Sequence, residues 1–458
     1  MGLKMGERES GEEGSSHSTG VPGREGWYHG ATLDFTVFEM HLQPLANHLI
    51  RSATLLLPAV VAVASSSSLR AQAAPPARRV RLGIEVLLTD SVHLVRGKRV
   101  GLITNHTGIT PEGRSTIDVL HRVPGVTLTA LFAPEHGIRG EAQAGERIAS
   151  GRDSATGVPI HSLYGDTRVP TTEMLRDVDV VLYDIQDVGA RVYTYPWTMA
   201  LSAEAVHKAG RKFVVLDRPD PIRGDRVEGG VLDTAFRSFV GQFPVALRYG
   251  LTPGELLRFL IGTRQITADI AVVPMSGWRR EMWWEATHLP WRSPSPNIRT
   301  IDAALLYTGT VFFEGTNLSE GRGTSLPFQL VGAGWLHDAG AIARELNAKR
   351  IPGVVFDSTL VTVEQGQKWG GSRIPMIAVV VSDRDAVSPA RVGLEMLRAI
   401  YQRHTGEFQW RVSHVDRLAG SSRLREAVEL GKVDQLLTVL EQESRDFLQQ
   451  VRPYLIYP

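Results

Sequence analysis

The 458 residues contain no cysteine. Disulfides, a thiolate nucleophile and cysteine-ligated zinc are therefore excluded. An excess of charge of either sign is also missing. The formal net charge is +1, and no long basic run occurs, so nucleic acid is not an expected partner. Phosphate-binding signatures are absent too: no G-x-G-x-x-G follows an apolar run, and no G-x-x-x-x-G-K-[ST] is present. Nor is there a G-x-S-x-G nucleophile elbow or an H-E-x-x-H pair. No cofactor and no metal is expected. Hydrophobic residues make up 43% and charged residues 22%, a balance that suits a soluble globular chain. The length exceeds one ordinary core, so two domains plus extras are expected.

Long apolar runs are scarce, and the one near the start is short. Residues 1–39 are rich in Gly, Ser and Glu with no sustained apolar period, and read as a non-native upstream extension. From Met40 the pattern changes. His48 and Arg51 precede an apolar block at 53–64, followed by Ser65 to Ser68 and Ala71-Gln72-Ala73. A charged region, a short apolar region and an A-x-A site read as a signal peptide over residues 40–73, cleaved after Ala73. The block is too short to span a bilayer. The expectation is a periplasmic or secreted protein with no integral membrane segment after cleavage.

From Arg81 onward, apolar strand-like runs alternate with helical stretches. Strands are expected at 98–105, 126–132, 178–184, 212–217 and 269–273, with helices at 115–122, 198–209 and 255–261. Thr252-Pro253-Gly254-Glu255 is a capping box with proline at the first helical position. Continuous apolar strands separated by helices imply an α/β fold with a mostly parallel, doubly covered, Rossmann-like sheet over 81–300. A smaller α+β domain is expected over 301–458. It has strands at 354–363 and 374–381, and helices from Ser388 and over 434–451. No catalytic group is expected beyond about Pro352.

Each strand of the sheet ends in polar residues. In an open parallel sheet, ligands bind in the crevice outside the carboxyl ends. The run at 126–132 stops at Pro134 and delivers Glu135 and His136 at once, then Gly137. Glu135 is the first candidate for a working acid. Asn105, Asp184, Asp187 and Asp217 close other strands and share the expected rim, although Asp and Asn serve equally well as turn and cap residues. Residues 312–324 (FFEGTNLSEGRGT) bring Glu314, Asn317, Glu320 and Arg322 onto a Gly-rich loop. The connection over 274–297 carries Trp278, Trp283, Trp284 and Trp291. These suit either stacking on sugar rings or a hydrophobic plug.

The motifs GLITNHTG, FAPEHGIRG, YDIQDVGARVYTY, LDRPDPI and FFEGTNLSEGRGT occur in this order. Together they resemble the bacterial exo-β-N-acetylmuramidases of the NamZ type, glycoside hydrolase family 171, over nearly the whole chain after Arg81. The resemblance implies a glycosidase that releases N-acetylmuramic acid (MurNAc) from the non-reducing ends of peptidoglycan fragments. The expected partners are muropeptides or the MurNAc-GlcNAc disaccharide. It also implies a Rossmann-like domain, a smaller C-terminal domain and a cleft between them, with the EHG glutamate at Glu135. Glycoside cleavage needs an acid and a second carboxylate or the substrate's acetamide. Glu135, Asp184 and Glu320 are the preferred catalytic candidates. Asn105, His136, Asp187, Arg191, Tyr193, Glu314, Asn317 and Arg322 are the substrate-binding candidates. The guanidinium of Arg322 or Arg191 is expected to meet the lactyl carboxylate that distinguishes MurNAc. The competing reading is a non-catalytic cell-wall glycan-binding protein with the same cleft.

Overall fold

Five of the apolar runs become neighbours in one sheet. The structure, a computed structural model, describes residues 79–140 and 145–458, so the expected signal peptide lies outside the described residues. The strands of the first half are β1 (Arg99–Thr104), β2 (Thr127–Ala133), β3 (Gly151–Arg152), β4 (Pro159–Ser162), β5 (Val180–Asp184) and β6 (Lys212–Leu216). They are followed by β7 (Glu228–Val231), β8 (Ala246–Arg248) and β9 (Ile270–Val273). Seven form a sheet in the order β3-β4-β2-β1-β5-β6-β9, while β7 and β8 pair separately. All pairings in the large sheet are parallel except at the edge strand β3. Counting only the parallel strands in chain order, the arrangement is 3-2-1-4-5-6, the doubly wound Rossmann order. Val100, Leu102, Leu131, Phe132, Leu182 and Val214 are buried, as strands covered on both faces require.

The helices of this half are α1 (Gly83–Thr89), α2 (Thr116–His121), α3 (Tyr195–Lys208) and α4 (Pro253–Gly262). Helix α4 starts where the capping box predicts: the Thr252 hydroxyl accepts from the Glu255 amide, and the Glu255 carboxylate accepts from the Thr252 amide.

The second half contains α5 (Ile301–Thr310), β10 (Leu330–Gly332), α6 (Ala339–Ala348), β11 (Val354–Thr362) and β12 (Arg373–Val381). Helices α7 (Pro389–Arg403), α8 (Val412–Ala419), α9 (Arg423–Glu429) and α10 (Val433–Val451) complete it. Its sheet is antiparallel, in the order β10-β12-β11. Helices α5 and α7 touch backbone to backbone. A Cβ on Gly309 would run into the Pro389 carbonyl, and one on Gly393 into the carbonyl of Gly309. Helix α5 leads directly into the segment that carries Glu314. All described residues belong to one compact unit.

The tryptophan-rich connection is a plug rather than a stacking platform. Trp278 and Trp284 are buried; Trp278 meets Tyr457 edge-on, and Trp284 meets Trp291 in the same way. Among the described residues, no helix is long and apolar enough to cross a membrane.

Candidate active site

The turn after β2 reverses the chain with two consecutive left-handed residues, His136 (φ 70°) and Gly137 (φ 73°). Positive φ is uncommon for a side-chain-bearing residue and tends to mark functional turns. The reversal sets Glu135 and His136 on the wall of a cleft of about 410 Å³. One Glu135 oxygen accepts from the Thr194 hydroxyl at 2.6 Å, the other from the Gly145 amide at 2.9 Å. Thr194 lies just ahead of α3, on the chain leaving β5. Tyr164 also faces this carboxyl: burial and the Glu135 charge raise its phenol above the ordinary tyrosine range, which keeps it a donor.

The opposite wall belongs to the segment after α5 and to α8. Glu314 pairs with Arg322 at 2.7 Å, and its second oxygen lies 3.8 Å from the His414 ring. Burial alone would favour the neutral acid, but Arg322 and His414 outweigh it and hold the Glu314 carboxyl down to about 2. Arg322 also meets Glu320 at 3.2 Å and lies over the Phe328 ring, 5.0 Å from its centre. The half-buried ammonium of Lys368 fastens this loop from beneath. It donates to the carbonyls of Phe313 (2.8 Å), Glu314 (3.2 Å) and Leu318 (2.9 Å) and to Glu320 (3.0 Å). Gly315 allows α8 to approach, because a Cβ there would strike Val415; this close passage brings His414 beside Glu314. Tyr193, Tyr307 and Phe328 form a floor of edge-to-face rings, with centroids 6.1 and 4.7 Å apart.

The cleft thus gathers Glu135, His136, Tyr193, Glu314 and Arg322 among the residues expected from sequence. The others do not line it. Asp184 is buried and tied to Arg218 (2.5 and 3.0 Å) and to the Thr116 hydroxyl (2.5 Å), so both its oxygens are engaged in holding β5 to its neighbours. Glu320 lies under the loop as the shared anion of Arg322 and Lys368. Neither is available as a catalytic carboxyl.

Asn105 folds back to accept from Thr107, and Thr107 in turn accepts from the Gln186 amide. With Asp184 and Arg218, these groups stopper the crevice between β1 and β5, so the open space lies farther out, beside the exits of β2 and β5. Asp187 is buried behind that stopper, where it accepts from the Gly189 amide. Arg191 is fully buried and donates to the carbonyls of Leu418 and Ala419 at the end of α8, which anchors that helix instead of meeting ligand. Asn317 binds Glu407 and Gln409 backbone groups.

Sequence reasoning missed Thr194, Tyr164, Tyr307 and His414. His414 lies in the half where no catalytic group was expected, and no local motif marks it. Among the described residues, no three His, Asp or Glu side chains group as a metal site.

Two carboxyls lining one cleft of about 410 Å³, the pairing that glycoside cleavage uses, define a glycosidase class of site. The comparisons agree. Residues 100–302 match the family described as "Exo-beta-N-acetylmuramidase NamZ, N-terminal", and residues 305–457 match its C-terminal counterpart. The chain is 41% identical over 381 residues to the peptidoglycan beta-N-acetylmuramidase NamZ of Bacillus subtilis (strain 168), covering 83% of this chain and 92% of that one. Two crystal structures of DUF1343 family proteins from Bacteroides fragilis NCTC 9343 are similar. One has TM-score 0.77 at 35% identity, the other 0.66 at 27%; each match covers 83% of this chain and 99% of the other. The chain belongs to the NamZ exo-β-N-acetylmuramidase family.

Proposed function

We propose that this protein is an exo-acting β-N-acetylmuramidase that hydrolyses the bond behind a non-reducing terminal MurNAc of peptidoglycan fragments, in cell-wall turnover. One observation carries the reading. Of the carboxyls lining the cleft, Glu314 is held ionised by Arg322 and His414, whereas Glu135 accepts from the Thr194 hydroxyl and the Gly145 amide. An ionised carboxylate cannot supply a proton, so Glu135 is left to protonate the glycosidic oxygen.

Glu314 then supports the positive charge that develops at the anomeric carbon. Its pairing with Arg322 weakens it as a nucleophile and suits it to hold the N–H of the substrate's acetamide. The Nε and Nη2 groups of Arg322 face the two glutamates, which leaves Nη1 to meet the lactyl carboxylate. His136 and the Tyr193–Tyr307 floor contact the sugar. The same family kinship and the pattern over residues 40–73 support an exported, periplasmic or secreted protein acting on muropeptides or the MurNAc-GlcNAc disaccharide.

The test is to incubate the protein with MurNAc-GlcNAc and identify the sugars released. Free MurNAc and GlcNAc are expected. Tight binding with no turnover would instead mean a glycan-binding protein.

A further inference from the structure

A larger cleft, about 530 Å³, lies on the other side of the EHG turn. Its wall carries His106, Arg114, Arg122, Arg139 and Arg292 against a single acid among the described residues, Asp118. Two of the guanidinium groups are engaged: Arg139 with Asp153 at 2.6 Å, Arg114 near Glu112 at 3.9 Å. Among the described residues, no carboxylate pairs with Arg122 or Arg292. Like charges converging on one hollow repel, and an anion resting there relieves that repulsion.

The two clefts share a wall. His136 faces the catalytic side while Ile138 and Arg139 face the basic side, and Ser295 and Arg292 divide in the same way. His106 braces the wall: its Nε2 meets the Ser293 carbonyl at 2.7 Å, and its ring lies under Gly140, where any Cβ would strike it.

The chemistry of the proposed reaction gives this wall a direction. The acid stands beside the leaving oxygen, so the departing strand must lie on the Glu135 side of the cleft, along the turn that borders the arginines. Every second sugar of that strand is a muramic residue with a carboxylate.

Resting on the muramidase reading, we propose that the basic cleft binds a carboxylate carried by the departing strand, beyond the scissile bond. It thereby makes longer fragments better substrates than the disaccharide. The carboxylate belongs either to the lactyl group of the inner muramic residue or to a peptide attached to it.

The test compares wild type with the Arg122→Glu/Arg292→Glu double variant. Three substrates are used: the disaccharide, a peptide-free MurNAc-GlcNAc-MurNAc-GlcNAc tetrasaccharide, and the same tetrasaccharide with a peptide on its inner muramic residue. Both arginines are exposed and outside the catalytic cleft. The variant should raise KM for a tetrasaccharide roughly tenfold, leave the disaccharide unchanged, and lose its effect at high salt. A rise with the peptide-free strand assigns the lactyl carboxylate; a rise only with the peptide-bearing strand assigns the peptide. An equal change for disaccharide and tetrasaccharides, or none, overturns the proposal. If wild type fails to cleave the disaccharide at all, the muramidase reading itself falls, a distinct result.

Discussion

The two walls of the catalytic cleft hold their carboxyls by opposite means. On the sheet side, Glu135 is positioned by a hydroxyl, a backbone amide and a nearby phenol, none of them charged. On the other side, Glu314 is gripped by a guanidinium and approached by an imidazole, with an ammonium fixing the loop below. The cations beside Glu314 hold that carboxyl ionised, whereas the donors beside Glu135 orient it on the wall of the cleft. The asymmetry lies in the partners rather than in the carboxyls themselves, and it matches the different roles proposed for the two.

Removing the acid should break the comparison most severely. Glu135→Gln keeps the shape and the Thr194 contact, so kcat should fall roughly a thousandfold with KM little changed. A variant that retained a tenth of the activity would refute the assignment. Arg322→Leu attacks the other wall. The Glu314 carboxyl then rises from its depressed value, so the acidic limb of kcat/KM should move to higher pH, with a loss of roughly a hundredfold near neutrality. Preference for muramic over glucosamine substrates should decline as well. An unmoved limb would show that Arg322 does not control Glu314.

Thr194→Val is a gentler probe. It removes one donor from Glu135, and kcat should drop about tenfold while the Glu314-dependent limb stays in place. A shift of that limb would mean the walls are not independent.

The smallest effect concerns the acids behind the stopper. Asp187 and Asp220 are buried with one oxygen of each unpartnered, and burial pushes both up to about 7. Their folded-state values are raised, so the stability they contribute is complete below about pH 4 and is lost as pH rises to 7. Asp187→Asn should flatten that slope and raise Tm at neutral pH by roughly 2 °C. A steeper slope in the variant would reverse the reading.

Much of this was legible in the chain. Continuous apolar runs gave the central strands to within a residue or two, and the Thr252 capping box marked α4. Glu135 was legible because Pro134 ends a strand and Gly137 permits the sharp reversal beside it. Asp184 misled for a physical reason. A polar residue at a strand's end looks the same whether it faces a ligand or a partner, and its partner Arg218 arrives from the next strand but is invisible to any local pattern. Arg191 misled similarly, since its acceptors lie more than two hundred residues away. His414 was unreadable because only the tight passage of α8 over Gly315 makes it a neighbour of Glu314.

The glycine-to-glycine crossing of α5 and α7 turns a remote spot into a lever. A single methyl at position 309 or 393 would pry the two helices apart, and the displacement would travel along α5 into the segment bearing Glu314. Substitutions there should blunt turnover without touching any atom of the sugar pocket. Natural variation at those two positions is thus a sensitive gauge of how finely the anionic wall must be spaced from the acidic one.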